Sequence, residues 1–325
     1  MSESISATMS RSSSIRRYLG RPFLNASEWL WCRLPPSFKA TRPMYMYGSL
    51  LHSLVKLRSS RMQFHGTFFF RNRPELEMMR SLADQKAKGD TLKIAVLACS
   101  NGAEVYSILW TLRTARPDLK IKLHAVDISS EIVEVAKAGL YSPQTPDAKD
   151  LVTSAIFDRI TQKELQGVFD PENGNFRIKP WLKEGIEWQA GDAADPMLVT
   201  ALGEQDIVVA NKFLCHMPPA SAEKCLRNLV RLVRPLGYLF VSGVDLEVRT
   251  KVALDLGWTP VRELIEEMHD GDPSVRGDWP WQYWGLEPFD RKRQDWSIRY
   301  ASVFQIGVAE SAAQPQVSLQ PSVQS

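Results

Sequence analysis

Two carboxylates set beside one glycine turn carry the chemistry of this chain. Glu104 stands two residues after Gly102, and Asp127 lies 25 positions after that glycine. The turn itself, Cys99-Ser100-Asn101-Gly102, holds a single glycine. A dinucleotide site uses three, so that backbone N–H groups can close on a pyrophosphate at a helix N-terminus. A carboxylate in the first helical turn repels a phosphate and attracts a cation. The spacing to Asp127 is close to the ~20 residues expected before a ribose-binding acid. S-adenosylmethionine has an ammonium, a sulfonium and a ribose diol but no phosphate, and meets both demands. A structural reading uses the same residues: Glu104 favours the helix dipole and Asp127 caps the next helix. His216 adds a group that titrates near neutral pH and can serve as a general base, or a core histidine at a pocket floor. Arg71 can pair a carboxylate bidentately, or pin the N-terminal segment to the rest of the chain.

These residues need a frame, and the hydrophobic pattern supplies one. Residues 94–98 are apolar without helical spacing, which predicts a strand buried on both faces. From Ala103, the side chains of Val105, Ile108, Leu109 and Leu112 share one helical stripe. Residues 121–126 form a second strand ending at Asp127. Strand, turn, helix, strand, acid is the front half of a Rossmann-like nucleotide site. A helix over 129–138 follows, stopped by Gly139. A short strand at 186–189 leads to Gly191-Asp192-Ala193-Ala194-Asp195. A buried central strand at 206–210 ends at Asn211-Lys212-Phe213-Leu214-Cys215-His216-Met217. Further helices are expected at 75–86, 220–233 and 250–256. Pro235-Leu236-Gly237 is read as a turn into a strand at 238–242, and a last strand spans 299–306. Residues 140–185 break the alternation: 165–169 and 176–178 flank a turn-rich stretch, which predicts a small antiparallel insertion. The fold class is α/β, a Rossmann-like sheet with helices on both faces.

The chain has 325 residues, 44% of them hydrophobic, enough for one large α/β domain with additions. It contains no apolar run long enough for a transmembrane helix, and its start lacks the apolar centre of a secretory signal. Cys32, Cys99, Cys215 and Cys225 show no paired spacing, so reduced thiols, a cytoplasmic protein and no metal site are expected. Net charge is +3, yet residues 1–73 hold 12 Lys and Arg against two acids. Such a segment suits a transit peptide, a membrane or nucleic-acid patch, or an arm lying on the acidic remainder. The arm is the plainest of these, and no nucleic acid is expected. The expected organisation is a basic aromatic arm at 1–60, irregular and partly disordered, with a short helix near 46–57. A Rossmann-like domain follows at 61–308, with a β-subdomain at about 140–185, and then a disordered Gln/Pro/Ser-rich tail at 309–325.

In order and spacing, these segments resemble the chemotaxis receptor methyltransferases of the CheR type. The resemblance rests on TFFFRNR at 67–73, ACSNGAEVYSI at 98–108, AVDIS at 125–129, AKAGLYS at 136–142 and LVRPLGYLFVSG at 232–243. It implies a class I methyltransferase fold with a small β-subdomain, S-adenosylmethionine as cofactor, and a glutamate side chain of a protein as acceptor. It places Arg71 against both cofactor and acceptor, Glu104 on the methionine ammonium and Asp127 on the ribose. It also sets Asp192 and Ala193 at the adenine, with Ser100, Gly102 and Asn211 completing the cofactor set. The family's Arg-Asn pair stands here as Asn211-Lys212, and its pocket tyrosine as His216. The family's N-terminal helical domain is not recognisable in residues 1–60, and the segment Trp279-Pro280-Trp281-Gln282-Tyr283-Trp284-Gly285 has no counterpart.

Methyl transfer is an in-line displacement, so alignment is the main task of the protein. A glutamate acceptor, with an ordinary pKa of about 4.3, is already ionised at neutral pH and needs no base. A hydroxyl or amine of a small molecule needs one, and His216 would supply it. A third reading is a cofactor-binding module without turnover. The rings of Trp279, Trp281, Tyr283 and Trp284 are expected to wall the acceptor mouth.

Overall fold

In this computed structural model, which describes residues 21–61, 66–143, 154–271 and 273–307, the striped segments form helices and the apolar runs form strands. Helices α1 (Arg21–Arg33), α2 (Pro36–Lys39), α3 (Arg42–Arg58) and α4 (Arg73–Asp84) come first. Then follow β1 (Thr91–Leu97), α5 (Ala103–Ala115), β2 (Lys120–Asp127), α6 (Ser130–Ala138) and β3 (Leu140–Tyr141). Next are α7 (Gln162–Val168), β4 (Phe169–Glu172), β5 (Asn175–Ile178), β6 (Ile186–Ala190), α8 (Pro196–Leu202) and β7 (Gln205–Val209). The chain continues through α9 (Pro219–Leu229), β8 (Val233–Phe240), α10 (Leu246–Asp255), β9 (Thr259–Pro260), α11 (Ile265–Asp270), α12 (Trp296–Arg299) and β10 (Val303–Gln305).

The main sheet runs β6-β2-β1-β7-β8-β10-β9. The first five strands pair in parallel, and β10 pairs antiparallel with both β8 and β9. From β1 the chain winds outward to β6 and then crosses back to β7. The winding direction therefore changes between β1 and β7, and a crevice opens beyond their carboxyl ends. Residues 207–210 are uniformly apolar because both faces of the strand are covered. Ile207 and Val209 join the core under α4 and α5, whereas Val208 and Ala210 join the core under α9 and α10.

Several expectations are corrected. Leu165 lies on α7, which a Thr161–Glu164 capping box starts, so the hairpin strand begins only at Phe169. Its turn is the pair Asn173-Gly174, with φ of 51° and 81°, the two-residue geometry that suits the twist of a hairpin. The small sheet is ordered β3-β5-β4. Pro235-Leu236-Gly237 is a bulge inside β8, not a turn before it: Gln205 faces Val233, while Ile207 already faces Tyr238. A Cβ on Gly237 would lie 2.9 Å from the Arg234 carbonyl oxygen and 3.0 Å from that of Asp206, which explains the glycine. Arg299 ends a helix, and the last strand is only Val303–Gln305.

The largest correction is at the N-terminus. The described part of the expected irregular arm is helical, and it docks through a third apolar cluster of Trp31, Leu51 and Trp279. Ion pairs Lys56–Glu247 at 2.8 Å and Arg61–Asp245 at 2.7 Å add to the attachment. Residues 1–20 and the expected tail at 309–325 lie outside the described residues. Among the described residues, no helix is long and apolar enough to cross a membrane, and no cluster of metal-ligating side chains occurs.

Candidate active site

A cleft of about 220 Å³ opens at the crevice between β1 and β7. Its floor is the turn after β1. Ala98, Ser100 and Gly102 all adopt positive φ, at 54°, 49° and 87°, so the chain reverses within five residues. Side chains and backbone fix that turn. Ala103 N–H donates to Asn101 Oδ1 at 3.1 Å, and Tyr141 Oη–H donates to the Asn101 carbonyl at 2.6 Å. Ser100 N–H donates to Asp127 Oδ2 at 2.8 Å, and Ser129 N–H donates to Asp127 Oδ1 at 3.1 Å. Asp127 is only 3% exposed. Each of its oxygens takes one of these N–H groups and keeps capacity for a ligand hydroxyl. The cap of α6 is Ser129, whose Oγ accepts from Ile132 N–H, so Asp127 is not needed for that task.

Glu104 enters the cleft from the first turn of α5. Asn211 Nδ2 donates to its Oε1 at 2.8 Å and to Glu75 Oε2 at 3.3 Å. The amide cannot turn over without loss, because its oxygen accepts from Ser242 N–H at 3.0 Å and from Ser242 Oγ–H at 2.8 Å. Burial raises the pKa of Glu104; the Asn211 hydrogen bond and the nearby Arg71 and Lys212 pull the other way. Glu75 is pushed up to about 8, by burial first and then by the charge of Glu104.

Of the sequence-predicted residues, Arg71, Ser100, Glu104, Asp127, Asp192, Ala193, Asn211 and His216 all line this cleft. Gly102 does not. Its missing Cβ would sit 3.0 Å from Ala136 Cβ and 3.2 Å from the Trp188 ring, so the glycine lets α6 and β6 close on the start of α5. Lys212 lines the cleft without having been anticipated, as do Ile128, Phe213 and Met217. Lys212 has φ of 62°, and Gly243 packs against its backbone. Only its place directly after the central strand signals it in the sequence.

Arg71 is held by its own segment: Nη2 donates to the Gly66 carbonyl at 2.9 Å, and its guanidinium lies 4.5 Å from the Phe68 ring centre. Arg159 stacks on Phe68 at 4.3 Å and donates to the Arg71 carbonyl at 2.6 Å. His216 follows β7 on a 3₁₀ turn, and its Nδ1 lies 2.7 Å from Tyr283 Oη. Arg61 braces that turn through the carbonyls of Cys215 at 3.0 Å and Met217 at 2.9 Å. Of the aromatic segment, Tyr283 touches the cleft-lining His216, but none of its four rings lines the cleft itself. Trp279 and Trp281 pack instead on Trp31, with ring centres at 5.7 and 6.3 Å.

The CheR methyltransferase SAM-binding domain matches residues 65–251. The chain belongs to the CheR methyltransferase family. Its cofactor is S-adenosyl-L-methionine, and the donor set agrees: a pair of acids, one with free acceptor capacity and one that a cation would stabilise, and no pyrophosphate cradle. Relatives of this CheR-family chain include a "Probable biofilm formation methyltransferase WspC" of Pseudomonas aeruginosa, 24% identical over 55% of this chain and 41% of that protein. "Chemotaxis protein methyltransferase 1" of the same organism is 27% identical over 48% of this chain and 56% of its own length. An "Uncharacterized 104.1 kDa protein in hypE 3'region" of Rhodobacter capsulatus is 27% identical over 62% of this chain and 21% of its length. The chain thus spans between about a fifth and just over half of these relatives.

Proposed function

We propose that this CheR-family chain methylates a carboxylate side chain of an acceptor protein, forming a methyl ester. The observation that carries this reading is the pair of cations, Arg71 and Lys212, lining the same cleft as Glu104 and Asp127. Glu104 would hold the cofactor ammonium, Asp127 the ribose hydroxyls, and Asp192 and Ala193 the adenine end. Bound there, S-adenosylmethionine supplies an electrophilic methyl group. Arg71 and Lys212, which stand near Glu104, then draw an ionised carboxylate into the same cleft. Such an acceptor needs no proton removed, so His216 acts as wall and not as base. The alternative, a small-molecule acceptor deprotonated by His216, is favoured by one contact: the Tyr283 hydroxyl on Nδ1 would orient the ring as a base partner does.

Incubation with methyl-labelled S-adenosylmethionine and a host protein extract tests the reading. Label released as methanol by mild alkali supports an ester. Alkali-stable label on protein overturns it, as does label recovered only on small molecules. Cofactor binding without any turnover would mark a silent module.

A further inference from the structure

Among the described residues, Glu75 is a buried acid near the cleft that the proposed chemistry does not use. It is the third residue of α4, after the Asn72 cap, and is 5% exposed. An acid in a first helical turn usually lies on the surface, where the helix dipole favours it. Here the side chain turns inward. Its Oε2 shares the Asn211 amide with Glu104, and its Oε1 has no hydrogen-bond partner among the described residues. A small cavity of about 20 Å³ beside the cleft shares Arg71, Glu104, Asn211 and Lys212 with it and adds Glu75. The charged groups that act on Glu75 are Glu104 on α5, Lys212 after β7, Arg249 on α10 and Arg71 before α4. His269, on the helix packed against α4, is turned away, with its Nε2 on the Glu287 carbonyl at 2.8 Å.

Two carboxylates that share one amide in a buried site repel each other, and burial disfavours the second charge further. We infer that Glu75 is a positioning residue for the cofactor: it carries the proton of the pair and anchors Asn211, so that Glu104 meets the ammonium as a single, aimed negative charge. Burial is consistent with that division, since Glu75 lies deeper than Glu104, which opens on the cleft. A cation arriving at Glu104 also lowers the proton affinity of Glu75 behind it. Cofactor binding near pH 8 therefore releases part of a proton from Glu75 to solvent. The inference rests on Glu104 taking the ammonium.

Calorimetry with S-adenosylhomocysteine tests it, run in buffers of different ionisation enthalpy between pH 6.5 and 8.5. Glu75→Gln, which mimics the protonated acid, should bind within about threefold of the wild type at pH 7 and lose the proton release seen near pH 8. Comparing the two proteins at one pH cancels the proton exchange of the ligand's own amine. Glu75→Ala should bind at least tenfold more weakly. Both variants should bind 5′-methylthioadenosine, which has no amino-acid moiety, as the wild type does, which also reports an intact fold. Equal proton counts in wild type and Glu75→Gln overturn the inference, as does undiminished binding by Glu75→Ala. If Glu104→Gln binds S-adenosylhomocysteine as well as wild type, the ammonium assignment itself fails and the inference falls with it. If Glu104→Gln weakens binding while both Glu75 variants behave as wild type, only the role of Glu75 fails.

Discussion

The proposed cofactor end and the proposed acceptor end of the cleft are built in different ways. At the cofactor end, Ser100, Glu104 and Asp127 come from two successive strand ends, and the bond between Ser100 N–H and Asp127 closes the unit across 27 residues. At the acceptor end, His216 meets Tyr283 from 67 residues away, and Arg61 reaches the carbonyls of Cys215 and Met217 across 154 and 156 residues. Ser100 and Asp127 are set by a backbone turn that any competent β1–α5–β2 unit forms, and only Glu104 also leans on a distant group, the Asn211 amide 107 residues away. The acceptor end is a packing product of three distant segments. Damage to packing should therefore cost the acceptor end its order while leaving cofactor binding nearly intact.

The largest effect should come from breaking the clamp behind the aromatic segment. Arg299 and Glu287 form a buried pair, with bonds of 2.6 and 2.8 Å, and only the more exposed Glu247 also reaches Arg299, at 3.2 Å. Glu287→Ala should cost about 3–5 kcal/mol of stability, the usual range when one partner of a buried pair is removed. Urea unfolding measures the loss, and S-adenosylhomocysteine affinity of the folded protein should hold. A parallel loss of affinity would show that the two ends are one unit.

Acid separates the ends next. Burial pushes His269 down to about 4, against about 6.5 when unfolded. Its contribution is complete above pH 6.5 and is lost as pH falls towards 4, by about 3 kcal/mol. Glu75 has the opposite sign. Its pKa is raised to about 8, so its contribution is complete below about 4.5, the ordinary carboxylate range, and is lost as pH rises towards 8. Stability against pH should show His269→Gln flattening the loss on the acid side and Glu75→Gln flattening the loss on the alkaline side. Swapped assignments would refute both.

At the cofactor end, Asp127→Ala should weaken S-adenosylmethionine binding by ~1.5–3 kcal/mol, the range for hydrogen bonds to a charged group. Calorimetry showing unchanged affinity with the fold intact would remove the ribose role. Gly48→Ala probes the other side. An alanine in α3 would ordinarily gain about 1 kcal/mol over glycine, but its Cβ would run into the Trp279 ring. A net loss of about 1–3 kcal/mol is expected from overpacking, and a gain would show that the helices are loosely docked. The smallest effect should be His216→Tyr, which keeps a ring and a polar tip. Its activity should stay within severalfold, with a flat rate from pH 6 to 8. A drop of ~100-fold or more, with a rate rising through that window, would make His216 a base.

Much of the cofactor end was legible because its signals are local. The apolar run of β1, the glycine turn and the acids at fixed spacing are all set by strand period and turn sterics. The errors fell where no local signal exists. Residues 21–58 looked irregular because their aromatics are interleaved with arginines and prolines; only docking against Trp279 shows which of them face inward. Leu165 has the apolar setting of a strand, and the Thr161–Glu164 capping box before it is what makes it helical. Glu75 carries no spacing motif at all.

The amino-acid sequence by itself determined the parallel sheet, the turn after β1, the small hairpin insertion and the acids at Glu104 and Asp127, because each follows from periodicity or turn chemistry within about 30 residues. Tertiary structure alone decided that Asn211 bridges Glu104 to a buried Glu75, that Tyr283 rests on His216, and that the N-terminal helices close on the aromatic segment. Those contacts join groups 60 to more than 200 residues apart. Their partners are selected by shape, burial and the need to satisfy polar atoms in a dry interior.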